Sequence, residues 1–257
     1  MRKFWLVVLL LGIAARALAA ESITVAAAAD LNYALNELAS RFEATSGVKV
    51  TLSFGASGNL FSQIQSGAPF DLFFSADEDY PKKLASAGLA DASSLRIYAL
   101  GHLVLWVPNN STFDPQKLQM ELLTQPDVTR IAIANPQHAP YGRAAEEALR
   151  GAGLQDAVKD RIVLGENISQ AAQFAESGNA DAGILALSLV QSPALKDKGR
   201  YWTIPENLYA PIRQGAVVPR AAPNMQGARA FLDYIKTPEV AALLERYGFA
   251  LPGKGKE

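Results

Sequence analysis

The chain has 257 residues, 49% hydrophobic and 19% charged, enough apolar material for one large core or two lobes and too much for a disordered chain. It has no cysteine, which excludes disulfides and thiolate metal sites, and its two histidines, His102 and His138, leave little material for a histidine metal site or a His-based triad. The formal net charge is −1.

Arg2 and Lys3 precede an apolar run, FWLVVLLLGIAA, that is too short for a membrane span and ends near the small-x-small pattern Ala17-Leu18-Ala19. Residues 1–20 are therefore expected to be a signal peptide that sends the chain to the periplasm. The absence of cysteine excludes a lipoprotein anchor. Without the three positive charges of Arg2, Lys3 and Arg16 the net charge becomes −4, which argues against nucleic acid or an anionic membrane surface as partner.

Beyond the leader, strands and helices alternate. ITVAAAA (23–29) reads as a buried strand. DLNYALNELASRFEATSG reads as a helix, with Leu31, Leu35, Leu38 and Phe42 on one face and Gly47 as its stop. KVTLSF and DLFFSA are strands, NLFSQIQSG and YPKKLASAG helices, the latter with Pro81 in its first turn. RIYALGHLVLWVP (96–108) is a long β-rich run broken at Gly101. A middle block follows: strand TRIAIAN, helix YGRAAEEALRGAG, then RIVLGE, ISQAAQFAESGN, ADAGILA and LSLVQS. A second β-rich run, YWTIPENLYAPIRQGAVV (201–218), leads to the helices MQGARAFLDYIK and TPEVAALLERYG, and the closing GKGKE reads as a frayed tail.

This alternation implies an α/β fold with mainly parallel sheets covered by helices. The two long runs imply that the chain crosses twice between two lobes, one formed by 21–100 plus 206–257 and the other by 101–205. Ligands of open α/β sheets sit beyond the carboxyl ends of the strands, so the expected site is the cleft between the lobes.

Four strand-to-helix corners share a composition: AAAADLN (26–32), SFGASG (53–58), NPQHAPYG (135–142) and LGENIS (164–169). A helix start exposes unpaired N–H groups and the positive end of a dipole, and small residues let an anion approach them. Ser57 adds a hydroxyl. One such corner is ordinary capping chemistry. Four corners in an exported two-lobe chain point to an anion held by dipoles and not by full charges, without naming the anion.

The stretches VAAAADLNYALNELASRF, SFGASGNLFSQIQSGAPFDLFFSAD, ANPQHAPYGRAAEEAL and FLDYIKTPEVAALLERYGF resemble the periplasmic molybdate-binding proteins, the solute receptors of ABC-type molybdate importers. The resemblance spans nearly all of the chain after the leader. It implies a type II, Venus-flytrap periplasmic binding fold with a tetrahedral oxyanion, molybdate or tungstate, in the interlobe cleft. It also implies no enzymatic activity, no cofactor beyond that ligand, a monomer, and an ABC membrane permease as partner. Carried over residue by residue, the ligand positions are Asp30 (where the family has a serine), Ser57, Tyr141 and Ile168. Leu31 and Asn32 are additional candidates, and Ala186 stands where a tyrosine is frequent. Tyr141 is then expected to replace the hydroxyl lost at Ala186. Asp30, a carboxylate beside a dianion, is expected to cap its helix and turn away from the ligand. Direct ligation of the metal by Asp30 is a further alternative.

Other readings stay open on the residues alone. Sulfate or phosphate are alternative oxyanions, and Asp30 offers an acceptor for the proton of hydrogen phosphate. Ser57 as a hydrolase nucleophile lacks both a G-x-S-x-G context and a base. His138 is expected to brace its loop, and Asp71 and Asp77 to serve turns and caps. Trp106, Tyr201 and Trp202 are expected to pack at the hinge.

Overall fold

The computed structural model describes residues 21–253; the expected leader and the last four residues of the tail lie outside it. The chain runs β1 (Ser22–Ala28), α1 (Asn32–Ser46), β2 (Lys49–Gly55), α2 (Ser57–Gln65), β3 (Leu72–Ser75), α3 (Asp79–Ser86) and β4 (Arg96–Gly101). It continues through β5 (Leu103–Pro108), α4 (Pro115–Leu118), β6 (Ile131–Ala134), α5 (Pro140–Gly151), α6 (Gln155–Val158), β7 (Ile162–Gly165), α7 (Ile168–Glu176), β8 (Ala182–Ala186), α8 (Leu187–Val190) and β9 (Gly199–Thr203). It ends with β10 (Ile212–Val217), α9 (Met225–Tyr234) and α10 (Pro238–Arg246).

These strands form two five-stranded sheets, ordered β2-β1-β3-β10-β4 and β7-β6-β8-β5-β9. Four strands of each sheet run the same way and one is reversed: β10 is antiparallel to β3 and β4, and β5 is antiparallel to β8 and β9. The reversed strand of each sheet is the one that arrives from the other sheet. The chain passes between the sheets at His102 and again over 204–211.

The period-2 alternation of a strand buried on both faces decides the packing. In β1, Ile23, Val25 and Ala27 face one core cluster, with Leu35, Phe42 and Phe231 of α1 and α9, while Ala26 faces another with Leu60 and Ile64 of α2. The Phe42 and Phe231 rings meet edge to face at 4.9 Å, a geometry worth about 0.5–1.5 kcal/mol beyond burial. The second sheet has its own cluster around Trp106, Leu122, Ile133 and Ile184, and Ala28, Ala29, Ala56 and Ala76 at the strand ends of the first sheet join it.

The aromatic residues of the crossing runs are not at the hinge. Trp106 is fully buried within the second core, against Gly199, and Tyr201 and Trp202 pack on that core from β9. Trp106 is drawn inward because β5 is an interior strand of its sheet, flanked by β8 and β9. The two crossings are instead tied by polar contacts: Leu103 N–H to the Tyr209 hydroxyl (3.2 Å) and His102 Nδ1 to Glu206 Oε1 (3.1 Å). Among the described residues no helix is long and apolar enough to cross a membrane.

Candidate functional site: an interlobe anion cleft

The four corners read from the sequence meet in space. A cavity of about 10 Å³ is lined by Ala28, Ala29 and Asp30 from the first corner and by Gly55, Ala56 and Ser57 from the second. Ala139, Pro140 and Tyr141 line it from the third, Asn167 and Ile168 from the fourth, and Ala76 from the end of β3. No lysine, arginine or histidine is in that lining. Larger hollows elsewhere lie away from these helix starts.

Local structure at each corner leaves amides unused. The helix starts at Ala28, Ala56 and Ala139 have no side-chain cap. In α2 the Gly58 amide donates to the His138 carbonyl (2.8 Å) and the Leu60 amide to Ala56, which leaves Ser57 and Asn59. In α7 the Asn167 side chain accepts from Ser169 and Gln170 (3.0 and 3.1 Å), which leaves Ile168. Pro140 has no N–H and the Gly142 amide turns back to Ala139, which leaves Tyr141. The Ser57 hydroxyl accepts from the Ala76 amide (3.0 Å), so its own proton remains to be donated. It has no base beside it.

Asp30 does not cap its helix. It lies inside the short 3-10 turn Ala29–Leu31, whose N-cap position is Ala28. Its side chain is buried, with Oδ2 accepting from Gln214 Nε2 (2.5 Å). That amide also donates to the Tyr141 hydroxyl (3.1 Å), while the Tyr98 hydroxyl donates to Gln214 Oε1 (2.7 Å). Burial raises the Asp30 pKa from 3.8 to about 6, against the lowering effect of the Gln214 and Tyr141 hydrogen bonds. Burial, and then the charge of Asp30, push the Tyr98 and Tyr141 hydroxyls well above the usual phenol range, so both stay neutral. Asp30 Oδ1 is buried with no partner.

The remaining candidates separate. Leu31 is buried in the first core. Asn32 lies outside the cavity, in a shallow groove with Tyr33 and Ser169, and its side-chain oxygen accepts from Asn36 (2.9 Å). Ala186 is buried at the start of α8, with its methyl outside the cavity lining. The Tyr141 ring runs inward from α5 until its hydroxyl reaches the end of β4. A Cβ at Gly101 would stand 2.1 Å from that oxygen. Gly101 is thus required for space, where its sequence context suggested a strand break and a hinge. His138 braces its loop through its amide to Asn135 (3.2 Å) and docks Gly58 through its carbonyl. Asp77 Oδ1 accepts from Tyr80 N–H at the start of α3, and Asp71 ties β1 to the α9 entry through Thr24 and Asn224 N–H.

Sequence reasoning missed the contacts that hold the two sheets' units together. Ser169 Oγ donates to the Ala29 carbonyl and Ser188 Oγ to the Asp30 carbonyl, both at 2.9 Å. Arg143 of α5 pairs with Asp77 and lies over the Tyr80 ring at 5.6 Å. A polar residue inside the apolar strand IRQGAVV was the one signal for Gln214, which is fully buried. Nothing local marks the others.

Two lobes and a cleft lined by helix starts define a class, and the family model for bacterial extracellular solute-binding proteins matches residues 23–250. The chain belongs to that family. It is 40% identical over 240 residues to the molybdate-binding protein ModA of Azotobacter vinelandii, covering 93% of this chain and 94% of the relative. It is 38% identical over 241 residues to ModA of Rhodobacter capsulatus, covering 94% and 92%. The solved structure of the A. vinelandii periplasmic molybdate-binding protein matches with a TM-score of 0.84 at 37% identity, covering 90% of this chain and 99% of that one.

Proposed function

We propose that this chain is the periplasmic receptor of an ABC-type importer, that it captures molybdate, and tungstate with it, and that it delivers the anion to a membrane permease. The observation that carries this reading is a cavity lined by four helix starts, three of them without a side-chain cap, and by the Ser57 hydroxyl, with no cationic side chain. A dianion there is met by N–H dipoles from both lobes. Ser57, Tyr141 and Ile168 supply donors, and Asp30 borders the ligand through its backbone. Asn32 and Ala186 fall outside the ligand shell. The cavity has room for about one water-sized body, so the lobes, 21–100 with 206–257 and 101–205, part to admit a four-oxygen anion and reclose on it. Residues 1–20 act as the export leader, and the mature chain works as a monomer.

Molybdate and tungstate present nearly the same size and charge to fixed dipoles. Sulfate is smaller and leaves donors unpaired. Calorimetric titration of the mature protein with molybdate, tungstate, sulfate and phosphate tests this. Tight binding of the first two and weak binding of the last two is expected. Preferential binding of sulfate or phosphate would replace molybdate as the cargo, and no heat with any of the four would remove the receptor reading.

A further inference from the structure

We propose that Asp30 takes up a proton when the cleft captures its dianion, so that the oxyanion is bound beside a neutral carboxylic acid. This rests on the molybdate reading above and deepens it.

Asp30 lines the cavity, and its Oδ1 is buried without a hydrogen-bond partner, with the neutral Tyr141 hydroxyl as its neighbour. Its other oxygen is held by the neutral amide of Gln214. The groups that face it from every side carry no compensating charge. Tyr141 of α5 and Tyr98 of β4 are phenols held neutral by burial, and Tyr209 lies beyond Tyr141. Ser188 of α8 donates to the Asp30 carbonyl and Ser169 of α7 to that of Ala29, so neither hydroxyl is spent on the carboxylate. Asp77, the nearby second carboxylate, is occupied by Arg143. A dianion placed in the same cavity adds two like charges at close range, in a setting that screens them poorly. Uptake of one proton from the buffer forms an O–H bond on the carboxyl group and removes its charge. If that proton lies on Oδ1, the orphaned oxygen gains a hydrogen to donate.

In the closed cleft burial already raises the Asp30 pKa to about 6, so at pH 7 the carboxyl is still mostly ionised before a dianion arrives, and capture takes up close to one proton. Affinity then falls several-fold from pH 7 to 8, a range in which molybdate itself stays a dianion.

The test is calorimetric titration of the mature protein with molybdate at pH 7 in buffers of different ionisation enthalpy, repeated at pH 8. Uptake near one proton and weaker binding at pH 8 are expected. In Asp30→Asn, which keeps the Oδ contact to Gln214, molybdate should bind with no proton uptake and the same affinity at both pH values. Tight wild-type binding whose heat is independent of buffer overturns the proposal while leaving the molybdate reading intact. Uptake that persists in Asp30→Asn assigns the proton elsewhere and also overturns it. Hydrogen phosphate binding without uptake, lost in Asp30→Asn, would mean that Asp30 stays ionised and accepts the ligand's proton. No molybdate heat in any buffer sinks the receptor reading and this inference with it.

Discussion

Helix α9 begins at Asn224, whose side-chain oxygen takes the Gly227 amide at 2.9 Å, and α4 begins at Asp114, which takes the Gln116 amide at 3.0 Å. Helices α2 and α5 begin at Ala56 and Ala139, whose methyl groups take nothing. The first pair starts away from the cleft and the second pair in it. Replacing a capping side chain by alanine costs about 0.5–2 kcal/mol, so α2 and α5 begin with a residue that a stability argument alone would reject, while α7, the third cleft helix, keeps its Asn167 cap and leaves only the Ile168 amide. On the proposed reading, the difference teaches that the uncapped amides of α2 and α5 are kept for the anion and that the molecule gives up some stability to present them. Asp30 and Asp77 differ in the same sense. At the rim Asp77 meets a full positive charge from Arg143. In the cleft Asp30 meets the Gln214 amide and the Tyr141 phenol.

The largest expected effect is on stability at Asp30. Its folded pKa of about 6 lies above the ordinary 3.8. The ionised form is therefore penalised in the folded state: the cost is absent below pH 4, grows through the window between the two values, and is complete above pH 6. At 1.36 kcal/mol per unit this amounts to roughly 3 kcal/mol. Asp30→Asn should be more stable than wild type to urea at pH 7.5 by an amount of that order, with the gain gone at pH 4. An equal difference at both pH values would mean that Asp30 is not the group titrating.

The comparison breaks next at Ser57. Ser57→Ala should weaken molybdate by about 1.5–3 kcal/mol, the range for a hydrogen bond to a charged group, with little change in unfolding. Unchanged calorimetric affinity would remove Ser57 from the site. The outer caps should behave in the opposite way: Asn224→Ala should cost about 1 kcal/mol of stability and leave affinity alone. An affinity change there would blur the distinction between the two sets of helix starts.

The smallest effect is expected at the rim. Arg143 and Asp77 side chains are 39% and 14% exposed, so solvent screens the pair and Arg143→Ala should weaken closure by about 0.2–1 kcal/mol. Small-angle scattering should show the wild-type radius of gyration falling when molybdate is added, and a smaller fall in the variant at subsaturating ligand. A wild-type radius that stays constant while calorimetry registers binding would rule out a clamp.

Much of this was legible in the sequence because it is local. The alternation in ITVAAAA, the Leu31–Phe42 stripe and the small residues of SFGASG and LGENIS each place an element from a few neighbouring positions. Ser57 stood out that way, whereas Tyr141 and Ile168 entered only as positions that the family resemblance implies. What was not legible depends on distant pairs. Asp30 looked like a cap because aspartate before a helix is ordinarily one, and its partner Gln214 is 184 residues away. The reason for Gly101 is a tyrosine hydroxyl arriving from the other lobe, and Trp106 went to the second core because β5 is an interior strand there.

The strand order of the first sheet has a consequence for how the chain acquires its structure in time. β10 lies between β3 and β4, so that sheet stays in two pieces until residue 217 is available, and its covering helices α9 and α10 come later still. The second sheet is drawn from one continuous stretch, 103–203. Loop closure over more than a hundred residues is slow relative to nearby pairings. The second sheet should therefore gain hydrogen-exchange protection first in pulse-labelling during refolding, and simultaneous protection of both would contradict this. A chain that emerges N-terminus first thus holds β1–β3 and β4 as separate pieces until β10 arrives to join them, and the first lobe's face of the cleft is completed after the second's.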